Sequence, residues 1–222
     1  MTPLRWVLFD LNGTLVDTAV LAQPLGDTAA DEALVASAIE DAIQLAMVTT
    51  LTGREAAFAD LVRAGLARRL RLAGRDPGLA DDALGLMGSM PAFLDAPAAL
   101  ERLRGIGLRL GVLTQSAAGA ADAVLRFSGL RDRIELVLSA PESGAFKPDP
   151  RPYRMALERL GAAGEEVALV AAHWWDVAGA KAAGLRTGWV ARSDLVLPDG
   201  IPEPDVGGRD LSEVAEGLAK LA

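Results

Sequence analysis

The sequence predicts an α/β fold: a doubly wound, Rossmann-like parallel sheet with a helical cap inserted after the first strand. Three observations carry this expectation. Short apolar runs alternate with helical stretches, the runs are apolar throughout rather than at every second residue, and residues 19–93 show helical periodicity without a strand. Continuously apolar strands suit a parallel sheet covered on both faces, and strand–helix alternation suits a doubly wound one.

The first strand is "RWVLFD" (5–10). The helical stretch that follows reads as three or four helices: "DEALVASAIEDAIQLAMVTTLTG" to Gly53, "REAAFADLVRAGLARRLRLAG" to Gly74, and "LADDALGLMGSM" after the "DPG" break at 76–78. The cap is therefore expected at 19–93 and the core at 1–18 and 94–222, with the cap above the carboxyl ends of the strands, where open α/β sheets bind ligands. The core resumes with a helix that has Asp95 as its cap, Pro97 early and Gly105 as its stop. Strands follow at 108–114, 134–140, 167–172 and 187–191. Between them, Asp149, Pro150 and Gly161 bound one helix, and another ends at Gly184. The stretch "LPDGIPEPDVGG" (197–208) reads as a loop before a last short helix.

Composition narrows the function. A chain of 222 residues, 51% hydrophobic, can bury a substantial core. A net charge of -8 argues against nucleic acid or an anionic membrane as partner. There is no cysteine, so disulfides, thiolate metal sites and a Cys nucleophile are excluded. No segment is expected to approach the length of a membrane span, and the expectation is a cytoplasmic protein acting on a small molecule.

Four polar groups stand at predicted strand ends. Asp10 ends the first strand in "DLNGTL", which could equally be an Asn-Gly turn. Thr114 ends "GVLT"; its hydroxyl could bond an anionic oxygen, and the following Ser116 reads as an N-cap. Lys147, in a Pro-braced loop, is either exposed or holds an aspartate ionised. Asp176 opens a helix, where an aspartate is a simple N-cap unless it has a partner. His173 is the only histidine, and the tandem Trp174 and Trp175 suggest a cavity wall.

Asp10–Leu15, Thr114, Lys147-Pro148 and Asp176 together resemble the four ordered motifs of the haloacid dehalogenase-like hydrolases, over the whole chain. The resemblance implies that Asp10 is a nucleophile forming an aspartyl ester, with Thr114, Lys147 and Asp176 as the other catalytic residues. The phosphatase branch adds an acid two residues after the nucleophile and an acidic magnesium ligand four before the last aspartate. Those positions hold Asn12 and Ala172 here, so no metal or other cofactor is expected, and magnesium enters only under a phosphatase reading. The segment "AAHWWDVAGAKAAG" and the spacing from Lys147 to Tyr153 are similar to the (S)-2-haloacid dehalogenase branch. In that branch Trp175 would be a pocket tryptophan and Tyr153 would support the site.

The resemblance thus implies a metal-independent hydrolase, cleaving the carbon–halogen bond of a small 2-haloacid with water oriented by Asp176 and His173. It also implies a substrate-binding set of Leu11, Asn12, Gln44, Gln115, Tyr153, His173 and Trp175. Gln44 stands where the branch has an anion-binding arginine, for which Arg54 or Arg63 could substitute; Gln115 and His173 replace asparagines, and Asn12 an aromatic residue. A phosphatase acting on a small phosphorylated metabolite, and a catalytically silent metabolite-binding member, remain the alternatives. A homodimer is a further expectation from the branch.

Overall fold

The computed structural model describes residues 2–192 and 194–222. Six parallel strands, β1 (Trp6–Phe9), β2 (Arg109–Thr114), β3 (Leu136–Ser139), β4 (Val167–Ala171), β5 (Arg186–Val190) and β6 (Val206–Gly208), form one sheet in the order β3-β2-β1-β4-β5-β6. The chain builds outward from β1 to β3 and then returns to the other side of β1. This reversal puts the topological switch between β1 and β4, at whose carboxyl ends such sheets bind ligands.

Both faces of the sheet are covered. Val7 and Phe9 of β1 pack with the helices α4 (Ala96–Gly105), α5 (Ala118–Phe127) and α8 (Leu211–Leu218). Trp6 and Leu8 point the other way, toward α6 (Pro150–Leu160) and α7 (Trp174–Ala182). Successive side chains alternate between two buried faces, which is why the strand reads as an unbroken apolar run. The α/β doubly wound class expected from the sequence is the one observed.

Between β1 and β2 lie a 3-10 turn (Thr18–Leu25) and the helices α1 (Ala29–Leu51), α2 (Phe58–Leu72) and α3 (Leu79–Gly85). Thr28 and Asp31 form a capping box at the start of α1. The α1 and α2 backbones meet at Gly65, where an added Cβ would lie 2.3 Å from the Ala38 carbonyl oxygen. The chain leaves and re-enters the sheet layer through a paired neck. Val16 bridges Ala92 antiparallel, Asp17 N–H donates to Pro91 O (2.8 Å), and Phe93 N–H donates to Leu15 O (3.0 Å).

Several local expectations are corrected. The 197–208 loop contains β6, whose Val206 and Gly208 pair with Gly188 and Val190 of β5; a three-residue strand with two glycines gives no apolar run to detect. Asp95 does not cap α4: its carboxylate accepts from Arg192 Nη2 (2.7 Å) and Leu211 N (2.8 Å), a tertiary partnership in place of a local one. Ser116 does not cap α5, which begins after Ala117. At 23 residues, α1 is long and apolar enough by composition to cross a membrane, against the expectation that no segment would be. Its Leu, Ile, Val and Ala residues supply the hydropathy, and it packs on α2, where Asp41 accepts from Arg69 (2.6 and 2.8 Å).

Candidate active site

The central strand delivers Asp10 to the switch point. Its N–H donates to Val170 O of β4 (2.9 Å), continuing the ladder one residue past β1, and the residue is 3% exposed. The Asn12-Gly13 pair, with Gly13 at φ +79°, turns the chain back so that Asn12 bridges Val16. The "DLNGTL" stretch is thus a turn, and the same stretch places Asp10 at the switch point. Thr14 donates from Oγ1 to Asp10 Oδ2 (3.0 Å) and accepts from Ala172 N (2.9 Å). Thr14 was absent from the expected site residues; its signal was its place in the same six-residue motif.

Lys147 is fully buried. Its ammonium donates to Asp10 Oδ1 (2.9 Å), Leu113 O (2.9 Å) and Asp176 Oδ2 (2.5 Å). All three donors of a lysine are therefore spent. Asp176 sits inside the first turn of α7 rather than at its cap, and Tyr153 donates to its Oδ1 (2.7 Å). A buried string runs Asp10–Lys147–Asp176–Tyr153. Gln115 fixes the lysine's backbone: its amide donates to Lys147 O and accepts from Lys147 N, both at 2.9 Å.

The electrostatics separate the two carboxylates. Burial alone would raise Asp10, but Lys147 and His173 override it and hold Asp10 well below the usual carboxylate range. Burial raises Asp176, and neighbouring Asp10 adds to that against the pull of Lys147. Lys147 stays charged because the two aspartates outweigh its desolvation. Burial would depress His173, yet its bond to Asp10 (Nδ1 to Oδ2, 3.1 Å) and that carboxylate's charge raise it. Burial, then Asp176, push the Tyr153 hydroxyl well above its ordinary value, so Tyr153 acts as a donor.

Asp10 opens onto a cavity of about 30 Å³, counting positions open to a water centre. That is more than the ~10–15 Å³ one water needs. Asn12, Thr114, Gln115, His173 and Trp175 line it from the sheet side, and side chains of the inserted helices line it from above. Trp175 also closes the apolar cluster of the insert together with Phe146, and His173 stacks on its ring at 5.1 Å.

The structure thus brings Asp10, Thr114, Lys147 and Asp176 together, with Lys147 and Asp176 behind the cavity wall. Three of the expected substrate-binding residues fall elsewhere. Leu11 is fully buried in the core beside Phe9 and Leu15, because the strand's alternation turns it away from the cavity. Tyr153 is fully buried behind Asp176. Gln44 is exposed and lines only an outer groove, one helix face away from the cavity. Arg54 is exposed, and Arg63 is paired with Asp81 (2.5 and 2.8 Å); neither lines the cavity.

A divalent ion does not fit this donor set. Among the described residues no three His, Asp or Glu side chains converge on one point. Ala172 offers no carboxylate, and an ion between Asp10 and Asp176 would have to displace the Lys147 ammonium that bonds both.

The family model of haloacid dehalogenase-like hydrolases matches residues 4–184. The chain belongs to that family and is a hydrolase. It is 31% identical to (S)-2-haloacid dehalogenase 4A of Burkholderia cepacia, over 83% of this chain and 81% of that one. It is 26% identical to (S)-2-haloacid dehalogenase H-109 of Pseudomonas putida over 98% and 99%, and 36% identical to phosphoglycolate phosphatase of Rhodospirillum rubrum over 81% and 76%. A crystal structure of a dehalogenase with an intermediate complex superposes with a TM-score of 0.91, at 29% identity over 99% of both chains.

Proposed function

We propose that this chain hydrolyses the carbon–halogen bond of a small substrate through an ester on Asp10, without a metal ion. The small 2-haloacids for which the relatives are named are the reference class. The observation that carries the reading is the Lys147 ammonium between Asp10 and Asp176. It keeps the nucleophile ionised, while Asn12 and Ala172 stand where a phosphatase has its acid and its metal-ligating carboxylate. Asn12 has no proton to give a leaving group, and halide needs none.

In the first step an Asp10 oxygen attacks the halogen-bearing carbon. A carbon–oxygen bond forms, the carbon–halogen bond breaks, and halide departs with the bonding pair. In the second step water attacks Asp10 Cγ, and the alcohol leaves with a proton. Asp176 is fully buried and its oxygens are engaged by Lys147 and Tyr153, so its part is to position Lys147. His173 lines the cavity and is the better proton acceptor. Its affinity for a proton is raised by the Asp10 charge, and esterification removes that charge. His173 therefore becomes a neutral base at the stage that needs one.

Halide release from short chloro- and bromo-compounds, 2-haloacids among them, tests the proposal. It is expected to persist in EDTA. Magnesium-dependent phosphate release from phosphoglycolate or an aryl phosphate, with no halide release, would favour the phosphatase alternative.

A further inference from the structure

We propose that the substrate taken by this site is an uncharged organohalide of two or three carbons bearing an O–H or N–H, such as a haloamide or halo-alcohol, rather than a carboxylate. This rests on the dehalogenation reading.

Four observations converge. The cavity beyond Asp10 is walled by apolar side chains of the insert and its junctions: Leu21, Ile39, Ile43, Phe58, Val62 and Met87. Among the described residues no Arg or Lys lines it. The nearby cations are committed: Lys147 has spent its three donors, and His173 uses Nδ1 on Asp10. The other edge of His173 lies against Gly13, where an added Cβ would come within 3.2 Å of Cε1 and Nε2. Two carboxylates, Asp10 and Asp176, already share the one buried ammonium. A substrate carboxylate would be a third anion in a small apolar space, a desolvation that the Thr114 hydroxyl in the lining would meet without a cation beside it.

The way in has the same sign. The open groove outside the cavity shares Asn12, Ile39, Ile43 and His173 with it, and its charged members are Glu40 and Asp194. An anion would approach against an acidic mouth on a chain of net charge -8.

Asn12 supplies the positive recognition. Its Nδ2 donates to Ser116 Oγ (3.3 Å), while its Oδ1 is buried and has no partner. A buried carbonyl oxygen without a donor is costly, and it belongs to a residue that lines the cavity two positions from the nucleophile, so that a turn of the side chain would present it there. An amide N–H or a hydroxyl on the substrate would satisfy it; a carboxylate would repel it.

The matched pair 2-chloroacetamide and chloroacetate, nearly equal in shape, tests the proposal. The chain has no cysteine, so thiol alkylation cannot mimic turnover. Chloride release is expected to favour the amide by at least 10-fold in kcat/KM, and Asn12→Leu is expected to cut that ratio severalfold from the amide side. Binding of the products, glycolamide and glycolate, measured by calorimetry on the unmodified enzyme, separates the two claims. Glycolamide binding 10-fold tighter with no chloride released from either substrate would uphold the charge preference and sink the dehalogenation reading. Glycolate binding as tightly as glycolamide, binding of neither, or chloroacetate turned over as fast as chloroacetamide, would overturn the proposal.

Discussion

Asp10 and Asp176 share one lysine and differ in what else they touch, and that difference assigns their parts. Asp10 also meets Thr14, His173 and the cavity, whereas Asp176 meets Tyr153 and the core. Asp10→Asn is expected to lower halide release by on the order of 10⁴-fold, read in a chloride assay with circular dichroism to confirm folding. His173→Gln is expected to leave the first step and stall the second, so the alkylated enzyme accumulates and intact mass rises by the substrate fragment. An unshifted mass during turnover would assign the base elsewhere. His173 also carries a pH signature. Its pKa in the fold lies above the unfolded value near 6.5. The stabilisation it gives by pairing with Asp10 is then full below that value and is lost as pH rises through the raised one. The melting-temperature gap between the parent and His173→Gln should narrow over that window, whereas a gap widening with pH would contradict the ion pair. Sequence alone reached the four polar groups because each ends or follows a strand of legible apolar character. It misjudged Asp95 and Ser116, because the oxygen that can cap a helix can equally serve a distant side chain, Arg192 for Asp95 and Asn12 for Ser116. Counting along a helix assigned Gln44 to the cavity, but counting fixes a position in the chain and not the face on which it lies.

At the scale of elements, two glycines set how closely neighbours approach. Gly179 in α7 faces the Lys147-Pro148 loop and α6. An added Cβ would lie 2.6 Å from the Tyr153 hydroxyl oxygen and 2.7 Å from Pro148 Cβ. Gly179→Ala is expected to cost about 1–3 kcal/mol by overpacking and to draw Tyr153 off Asp176. Chemical denaturation would read the stability, and the activity should fall beyond what lost stability explains; a variant of parental stability and activity would contradict the packing. Gly65 does the same work between α1 and α2. The sequence showed both helices by their apolar period, but not that their backbones meet there, since a glycine inside a helical stretch says only that something is close. The apolar strands β1 to β5 were legible for the same reason that β6 was not: burial on both faces writes a continuous run, whereas a three-residue edge strand is specified by its neighbours.

In the whole molecule, the site lies where the inserted helices meet the sheet, and Trp175 and Phe146 belong to the insert's apolar cluster although the chain carries them from the sheet side. Arg192, after β5, braces the neck beneath. It donates to Thr14 O (3.2 Å), pairs with Asp95 (2.7 Å) and lies over the Phe93 ring at 3.8 Å. Arg192→Ala leaves a part-buried carboxylate short of its partner and is expected to lower stability by about 2–3 kcal/mol. Hydrogen exchange at the Asp17 and Phe93 amides, which close the neck, should accelerate with it. The inserted segment was legible as helices interrupting a strand–helix rhythm. Its fit over Asp10 was not, because that depends on side chains of separate chain segments meeting in space.

Both proposed chemical steps run through the ester on Asp10. Single turnover in heavy-oxygen water, followed by mass analysis of the peptide that contains "VLFDLNGTLVDT" (7–18), tests it most directly. One heavy oxygen is expected in the Asp10 carboxylate and an unlabelled alcohol oxygen in the product of that first turnover. Label in the product with none in Asp10 would mean that water attacks the substrate directly, and would contradict the ester route.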